Sequence, residues 1–175
     1  MEKLKLYTVD TDYIDYLAQY DKQVMSAHGD SYTTERKYIG VVLNIGNFQY
    51  FAPLSSPKES DYFYKHGKKV VRKSVIPLIR LVTDKGNLLG RVKLNNMIPV
   101  PAKCLKLYDV ANEPDIKYRD LIIDEIICIR KRRELILKNA KVLYNQKVNN
   151  YEGINYLNST VNFKTAEKYC SKYQK

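Results

Sequence analysis

One stretch of the sequence could bring an amine and two hydroxyls together. Residues 38–54 predict a β-hairpin, because two apolar, β-branched runs flank the turn pair Gly46-Asn47. Lys37 precedes the first strand and Ser55-Ser56 follow the second, so antiparallel pairing would place them at the same end of the sheet. Such groups can hold an anion. A lysine beside a strand is most often a plain surface residue, so the placement alone assigns no chemistry.

Metal-dependent and cofactor-dependent chemistry find little support. Asp10, Asp12 and Asp15 could form a Mg²⁺ site, but carboxylates at a helix start are favoured by the helix dipole, and we prefer that explanation. Asp115-Ile116-Lys117 resembles part of a nuclease motif without its upstream carboxylate. The two histidines form no zinc pattern with cysteine. Walker, dinucleotide-binding and Gly-x-Ser-x-Gly patterns are absent. We expect no metal and no cofactor.

Composition points to a polyanionic partner. The 175 residues suit one domain, residues 1–175, and carry a formal charge of +11 spread along the chain. Sixteen tyrosines could stack on the bases of single-stranded nucleic acid, although A/T-rich coding sequence also enriches tyrosine. Three cysteines match no disulfide framework. Without a visible signal peptide or an apolar run of membrane-spanning length, we expect a cytoplasmic protein with no membrane partner.

The elements that must position these residues predict an α+β fold. Strands come first and helices later, which favours a twisted, mainly antiparallel sheet covered by helices. A helical stripe without Gly or Pro indicates one long helix, or two joined near Arg133. The predicted strands span residues 4–8, 38–45, 48–54, 69–83 and 88–93, with short edge strands within 97–101 and 105–110; the predicted helices span residues 10–23, 114–148 and 163–173; and loops are predicted at 26–37 and 59–69.

The helical region also contains a basic run of four residues. Arg130, Lys131, Arg132 and Arg133 are consecutive. Runs of charge are usually solvated helix faces, but four cations in one turn would attract phosphates strongly. This run could therefore bind the phosphates of an RNA backbone.

Several short blocks spread over most of the chain carry a family resemblance. In order they are Leu6-Tyr7-Thr8, Tyr13-Ile14-Asp15-Tyr16-Leu17, Lys37-Tyr38-Ile39-Gly40-Val41-Val42-Leu43, Tyr50-Phe51-Ala52-Pro53-Leu54-Ser55-Ser56-Pro57-Lys58, Asn96-Met97-Ile98-Pro99-Val100 and Asn162-Phe163. The segment from Ala52 to Lys58 is the most specific. Together the blocks resemble the type III toxin-antitoxin endoribonucleases of the ToxN/AbiQ family, and the abortive-infection branch, AbiQ, in particular.

The resemblance implies a fold, an activity and partners. The fold would be a sheet core related to the Kid/MazF toxins and wrapped by helices. The activity would be metal-independent cleavage of RNA, with cellular or phage RNA as substrate. The toxin would be inhibited by a small pseudoknot RNA antitoxin that it cuts from a tandem-repeat transcript. The toxin and its RNA would assemble as closed rings or as simple pairs, so an RNA-bridged oligomer is one of two open possibilities.

Catalytic and RNA-binding residues are also implied by this resemblance. Lys37, Ser55 and Ser56 match family positions that carry the catalytic groups. Tyr32 on the preceding loop, Tyr13 on the first helix and Lys58 would contact RNA. Some family members have Thr-Ser where this chain has Ser-Ser, and both pairs retain a hydroxyl for phosphate contact.

These groups favour attack by the RNA's own 2′-OH, which leaves a 2′,3′-cyclic phosphate and a 5′-OH. Ser56 with Ser55 would hydrogen-bond the nonbridging phosphate oxygens, and Lys37 would stabilise charge or donate a proton. A lysine with an ordinary pKa of about 10.4 is rarely neutral at pH 7, so the general base is left unassigned. His28 has suitable chemistry but is not included in the core set.

Two other functions fit the composition. A basic, tyrosine-rich protein could coat single-stranded RNA or DNA without cutting it, giving salt-sensitive binding and no new RNA ends. A peripheral membrane protein is the weakest alternative, because no helix combines a basic face with large exposed apolar side chains.

Overall fold

A computed structural model describes residues 3–27 and 35–174 of the chain. Its strands and helices follow one another with short loops and 3₁₀ turns between them. In chain order they are β1 (Lys5–Val9), α1 (Thr11–Ala18), β2 (Tyr38–Ile45), β3 (Phe48–Ser55), β4 (Tyr62–Lys65), β5 (Lys68–Val71), β6 (Leu78–Val82), β7 (Leu88–Lys93), β8 (Ile98–Pro99), β9 (Leu105–Leu107), α2 (Ile116–Lys131), α3 (Arg133–Val148) and α4 (Phe163–Lys172).

Seven strands form the main sheet, and every pairing in it is antiparallel. The order is β6-β7-β3-β2-β1-β9, and β8 pairs with β3 beside this path. Strands β4 and β5 form a separate hairpin. The structure confirms the predicted α+β class with a mainly antiparallel sheet and long helices after it.

The β2–β3 hairpin forms where the sequence predicts it. Its pairs run from Tyr38 opposite Pro53 to Ile45 opposite Phe48, with a register shift between Gly40 and Leu43. Gly46 supplies the turn with a φ of +54°, which L side chains rarely adopt. Because β3 also pairs with β7 and β8, this hairpin lies at the centre of the sheet.

The helical region is two helices rather than one. Helix α2 ends at Lys131 and α3 begins at Arg133, with Arg132 between them in a non-helical conformation. Each helix buries one apolar face, including Ile122 and Ile129 on α2 and Leu143 on α3. Helix α2 packs on β6 and β7, and α3 packs on β2. Among the described residues, no helix is both long enough and apolar enough to cross a bilayer.

Many of the tyrosines belong to the core. Tyr13, Tyr38 and Tyr50 are almost completely buried. The Tyr50 hydroxyl donates to Glu167 on α4 at 2.9 Å, and the Tyr144 hydroxyl donates to the same carboxylate oxygen at 2.7 Å. A buried carboxylate needs such donors, so these bonds hold α4 against the sheet.

Two segments differ from the sequence-based expectation. Helix α1 ends at Ala18 rather than near residue 23, because the Asp21 carboxylate accepts hydrogen bonds from the backbone of Gln23 and Asn162 and turns the chain. Residues 59–69 were expected to form a loop, but a 3₁₀ turn there leads into the β4–β5 hairpin. His66 and Gly67, both with positive φ, form the two-residue turn between its strands.

A buried ion cluster joins this small hairpin to the main sheet. Asp61, exposed by only 1%, accepts a hydrogen bond from Arg80 Nε at 2.9 Å, and Arg91 Nη1 lies 3.4 Å from its other oxygen. That second oxygen also accepts the backbone N–H of Lys58 at 2.8 Å. Loss of the carboxylate would leave two arginines buried without their shared counter-charge.

Asp61→Ala should therefore lower the free energy of unfolding by about 3–5 kcal/mol, measured by urea denaturation. Glu59→Ala is the matched control, because Glu59 pairs with Lys69 at the surface of the same turn and its loss should leave the urea midpoint unchanged. Equal midpoints for Asp61→Ala and wild type would contradict a stabilising role for the cluster.

Candidate functional site

The ends of β2 and β3 bring the two predicted parts of the site together. The backbone N–H of Leu54 donates to the carbonyl of Lys37 at 2.8 Å, and Arg36 Nη1 donates to the carbonyl of Leu54 at 3.1 Å. Lys37 therefore lies directly across the hairpin from Leu54, one residue before the serine pair. The hairpin register alone produces this adjacency between residues far apart in sequence.

The Lys37 side chain is buried among aromatic rings. Only 7% of the residue is exposed, its Nζ donates to the carbonyl of Glu35 at 2.8 Å, and the ring centre of Tyr108 lies 4.5 Å from Nζ. Burial lowers the pKa of this ammonium, while the carboxylates of Glu35 and Glu113 oppose that shift. Lys37 is therefore a cation in a fixed position that releases its proton more readily than an ordinary lysine does.

Two tyrosines beyond Lys37 extend the site toward α2. The Tyr108 hydroxyl hydrogen-bonds the Glu113 carboxylate, and burial followed by that bond raises the pKa of Tyr108. The Tyr118 ring centre lies 6.0 Å from Lys37 Nζ. Burial raises the pKa of Tyr118 to about 12, with further contributions from the charges of Glu125 and Glu113. Both phenols therefore stay protonated near neutral pH and can act only as hydrogen-bond donors or acceptors.

The two serines differ in exposure at the end of β3. Ser55 pairs with Arg91, and cross-strand partners share a face, so Ser55 faces the buried Asp61 cluster. Its hydroxyl is buried and has no hydrogen-bond partner among the described residues. Ser56, the next residue, follows the last residue of the strand and is exposed; continued alternation would turn it to the face that Leu54 and Lys37 share. An incoming anion can therefore reach Ser56 directly, whereas Ser55 lies behind it.

Sequence reasoning missed a carboxylate on this side of the sheet. Glu125 on α2 is only 6% exposed and lies over Gly90 of β7. A Cβ at Gly90 would be 2.1 Å from Glu125 Oε1 and 3.2 Å from the Ser55 carbonyl oxygen, so only glycine leaves room for the carboxylate. One signal could have found it, since Glu125 is a charged residue within the apolar stripe that includes Ile122 and Ile129.

The remaining predicted RNA contacts have mixed outcomes. Tyr13 is fully buried and its hydroxyl donates to the Pro99 carbonyl at 2.6 Å, which corrects its assignment as an RNA-contacting residue: it anchors α1 to the sheet. Lys58 is exposed near the serine pair. Tyr32 and His28 lie outside the described residues.

The basic run does not form one cationic turn. The helix break at Arg132 divides it, and the Arg132 guanidinium donates to the Val82 carbonyl at 2.9 Å. Lys131 pairs with Asp84 at 2.6 Å, Arg133 pairs with Glu134, and Arg130 is exposed. At a rise of ~1.5 Å per residue, the run begins about 18 Å along α2 from Tyr118. It therefore lies at the opposite end of this helix from the Lys37 site.

The aspartates at the start of α1 serve the helix. The Asp10 carboxylate accepts the backbone N–H of Asp12 at 3.0 Å and so caps α1. Across residues 3–27 and 35–174, no cluster of three or more His, Cys, Asp or Glu side chains is arranged to hold a metal ion.

Comparisons with known proteins match nearly the whole chain to one protein family. A family model described as the toxin ToxN of type III toxin-antitoxin systems matches residues 5–171. The endoribonuclease ToxN of Pectobacterium atrosepticum is 30% identical over 144 residues, covering 81% of this chain and 80% of the relative. The endoribonuclease AbiQ of Lactococcus lactis subsp. lactis is 30% identical over 179 residues, covering 98% and 90%.

A solved structure has the same fold. That structure, reported for a processed non-coding RNA that regulates a bacterial antiviral system, superposes with a TM-score of 0.81 at 28% sequence identity. The superposition covers 98% of this chain and 99% of the other.

The core position of Tyr13 can be tested directly. Tyr13→Phe should lower the free energy of unfolding by about 1–3 kcal/mol, because the buried Pro99 carbonyl loses its donor, and RNA affinity should stay within twofold of wild type. Urea denaturation and filter binding measure the two quantities. Unchanged stability together with weakened RNA binding would restore Tyr13 to the RNA interface.

Proposed function

Because the chain belongs to the ToxN toxin family of type III toxin-antitoxin systems, we propose that it is a sequence-selective, metal-independent endoribonuclease. Attack by the RNA 2′-OH on the adjacent phosphate leaves a 2′,3′-cyclic phosphate and a 5′-OH. The observation that supports this proposal is the hydrogen bond from Leu54 to the Lys37 carbonyl, which pairs the backbone of a buried lysine with the residue two positions before the exposed Ser56. The names of the curated relatives support an RNA-cleaving activity.

The chemistry needs charge stabilisation more than it needs a protein nucleophile. The substrate supplies the attacking oxygen, so the protein must hold the phosphate in line and stabilise negative charge on its nonbridging oxygens. The Ser56 hydroxyl donates to a nonbridging oxygen. The Lys37 ammonium stabilises the developing charge and donates a proton to the leaving 5′-oxygen. The lowered pKa of Lys37 favours that proton transfer.

Ser55 contributes from behind the strand end in this proposal. The backbone pairing of Ser55 with Arg91 joins the end of β3 to the strand whose arginine contacts Asp61. The strand end is thereby held by buried charge on one face while the other face receives the phosphate. Ser55 is a positioning residue here, and direct phosphate contact is assigned to Ser56.

The RNA partner is the second half of the proposal. The toxin cuts cellular or phage RNA in the cytoplasm, processes a tandem-repeat transcript into a pseudoknot antitoxin, and is inhibited by that RNA. A regulating processed non-coding RNA is reported for the structural relative. The formal charge of +11 supports binding of a polyanion. Two exposed residues would contact its phosphates: Lys58 close to the serine pair, and Arg130 at the far end of α2.

Lys37→Ala and Ser56→Ala should each reduce RNA cleavage by at least about 10²-fold, because each removes a group that stabilises the transition state. Denaturing gels of RNA cleavage, together with growth inhibition in cells, measure the loss. Both variants should remain folded and should still bind the antitoxin RNA.

Lys85→Ala is the matched control, because Lys85 is exposed on the turn before β7 and should cut at the wild-type rate. Near wild-type cleavage by Lys37→Ala and Ser56→Ala would place the active site elsewhere. RNA binding by the wild type with no new RNA ends would leave a non-catalytic binding protein.

Excess EDTA should leave the cleavage rate of the wild-type protein unchanged, since the proposed reaction uses the RNA hydroxyl and protein groups alone. The measurement is the initial rate on a denaturing gel with and without chelator. Complete loss that Mg²⁺ restores would reinstate the Asp10, Asp12 and Asp15 cluster as a metal site.

A further inference from the structure

Glu125 is a buried carboxylate that the reaction described above does not use. It lies on the face of α2 that packs against β7, and it is only 6% exposed. Within residues 3–27 and 35–174, no hydrogen bond or ion pair to its oxygens is found, and because they are not among the fully buried atoms that lack a partner, they keep some contact with solvent. A buried carboxyl without partners costs folding free energy. Such a group is retained in a fold more often for function than for stability.

The position of Glu125 connects it to the serine pair. Its Oε1 occupies the space above Gly90, with the Ser55 carbonyl oxygen bordering the same space. The register of β3 and β7 places Ser55 opposite Arg91, and continuing it by one residue places Ser56 opposite Gly90. If the backbone continues this alternation one residue past Ser55, Ser56 would face the side of the sheet on which Glu125 covers Gly90.

The position of Glu125 also connects it to Lys37 through Tyr118. The charge of Glu125 raises the pKa of Tyr118, which lies seven residues earlier on the same face of α2, and the Tyr118 ring centre is 6.0 Å from Lys37 Nζ. Tyr118 thus lies between Lys37 and Glu125, within reach of the electrostatic influence of both. A base and an acid on either side of a phosphate are what an in-line displacement requires.

We propose that Glu125 is the general base that takes the proton from the attacking 2′-OH. This inference rests on the proposed function and supplies the group that it leaves unassigned. The proton moves from O2′ to the Glu125 carboxylate as the O2′–P bond forms. The P–O5′ bond breaks, and the leaving oxygen takes a proton from Lys37. Glu125 then releases its proton to water and Lys37 regains one, which restores the starting state.

The protonation behaviour of Glu125 suits this role. Burial raises the pKa of its carboxyl to about 7, so the base form is available near neutral pH and is still basic enough to accept a proton. Charged groups on neighbouring elements do not offset the effect of burial. Side chains alternate along β7, so Arg91 and Lys93 face the side of the sheet away from Glu125. Arg80 of β6 pairs with Asp61. The Cys128 thiol donates to the Val82 carbonyl.

The test is the pH dependence of single-turnover RNA cleavage by the full-length protein. For the wild type, the rate should rise tenfold per pH unit up to about pH 7 and then level off. Glu125→Gln keeps the size of the side chain, and it should lower the plateau by about 10²–10³-fold and abolish the rise below pH 7. Glu125→Asp keeps a carboxylate and should recover the rise and at least about tenfold of the rate.

Two controls separate this role from a structural one. Asp124→Asn changes an exposed carboxylate on the same helix and should leave the profile unchanged. Because the folded-state pKa of Glu125 lies above that of an exposed glutamate, burial of this carboxylate destabilises the wild type as pH rises from about 4 to about 7. As the pH rises over this range, the Tm of Glu125→Gln should therefore increase relative to the Tm of the wild type, as measured by circular dichroism.

The outcomes distinguish the inference from the function on which it rests. A Glu125→Gln protein that keeps the wild-type rate and pH profile overturns the role of Glu125 and leaves the ribonuclease intact. A lower rate with an unchanged rise below pH 7 also overturns it, because the titrating base is then another group. A wild-type protein that produces no 2′,3′-cyclic phosphate ends overturns the proposed function itself.

Discussion

The register between β2 and β3 is the constraint on which the site depends. A single backbone hydrogen bond, from Leu54 to the Lys37 carbonyl, lies where the paired strands end. Side chains alternate along each strand, so a shift of one residue would turn Ser56 away from the face of Lys37. The register is held from both sides, by the pairing of β3 with β7 and by that of β2 with β1. The strand pairings at the centre of the sheet therefore determine how the candidate site residues at its end are placed.

Burial then gives the groups at this strand end unusual properties. Lys37 and Glu125 are both charged in water, and both lose hydration in the fold, Lys37 beside the Tyr108 ring and Glu125 where α2 packs on β7. For the lysine the cost of desolvation lowers the pKa, and for the glutamate it raises the pKa. The two values move toward neutrality from opposite directions. In the proposed mechanism, a base with a raised pKa and an acid with a lowered pKa would both exchange protons more readily near neutral pH.

The sequence predicts much of the fold and only part of the site. The β2–β3 hairpin follows from a local pattern, the Gly46-Asn47 turn, whereas the apolar stripe of the helical region leaves open one helix or two joined near Arg133, and the structure has the break at Arg132. The adjacency of Lys37 and the serine pair follows from the hairpin. Tyr13 was misassigned because burial of an aromatic ring depends on what packs against it, which local sequence does not encode. Glu125 was missed because its partner across the interface, Gly90, is distant in sequence.

The most direct test of the account is a structure of the protein bound to RNA with a 2′-deoxy nucleotide at the scissile position, which lacks the attacking hydroxyl. We expect Ser56 Oγ and Lys37 Nζ to lie within about 2.7–3.2 Å of oxygens of the scissile phosphate. We also expect the Glu125 carboxylate to face the C2′ position of that nucleotide. A scissile phosphate bound elsewhere, such as beside Arg130 at the far end of α2, would contradict this placement.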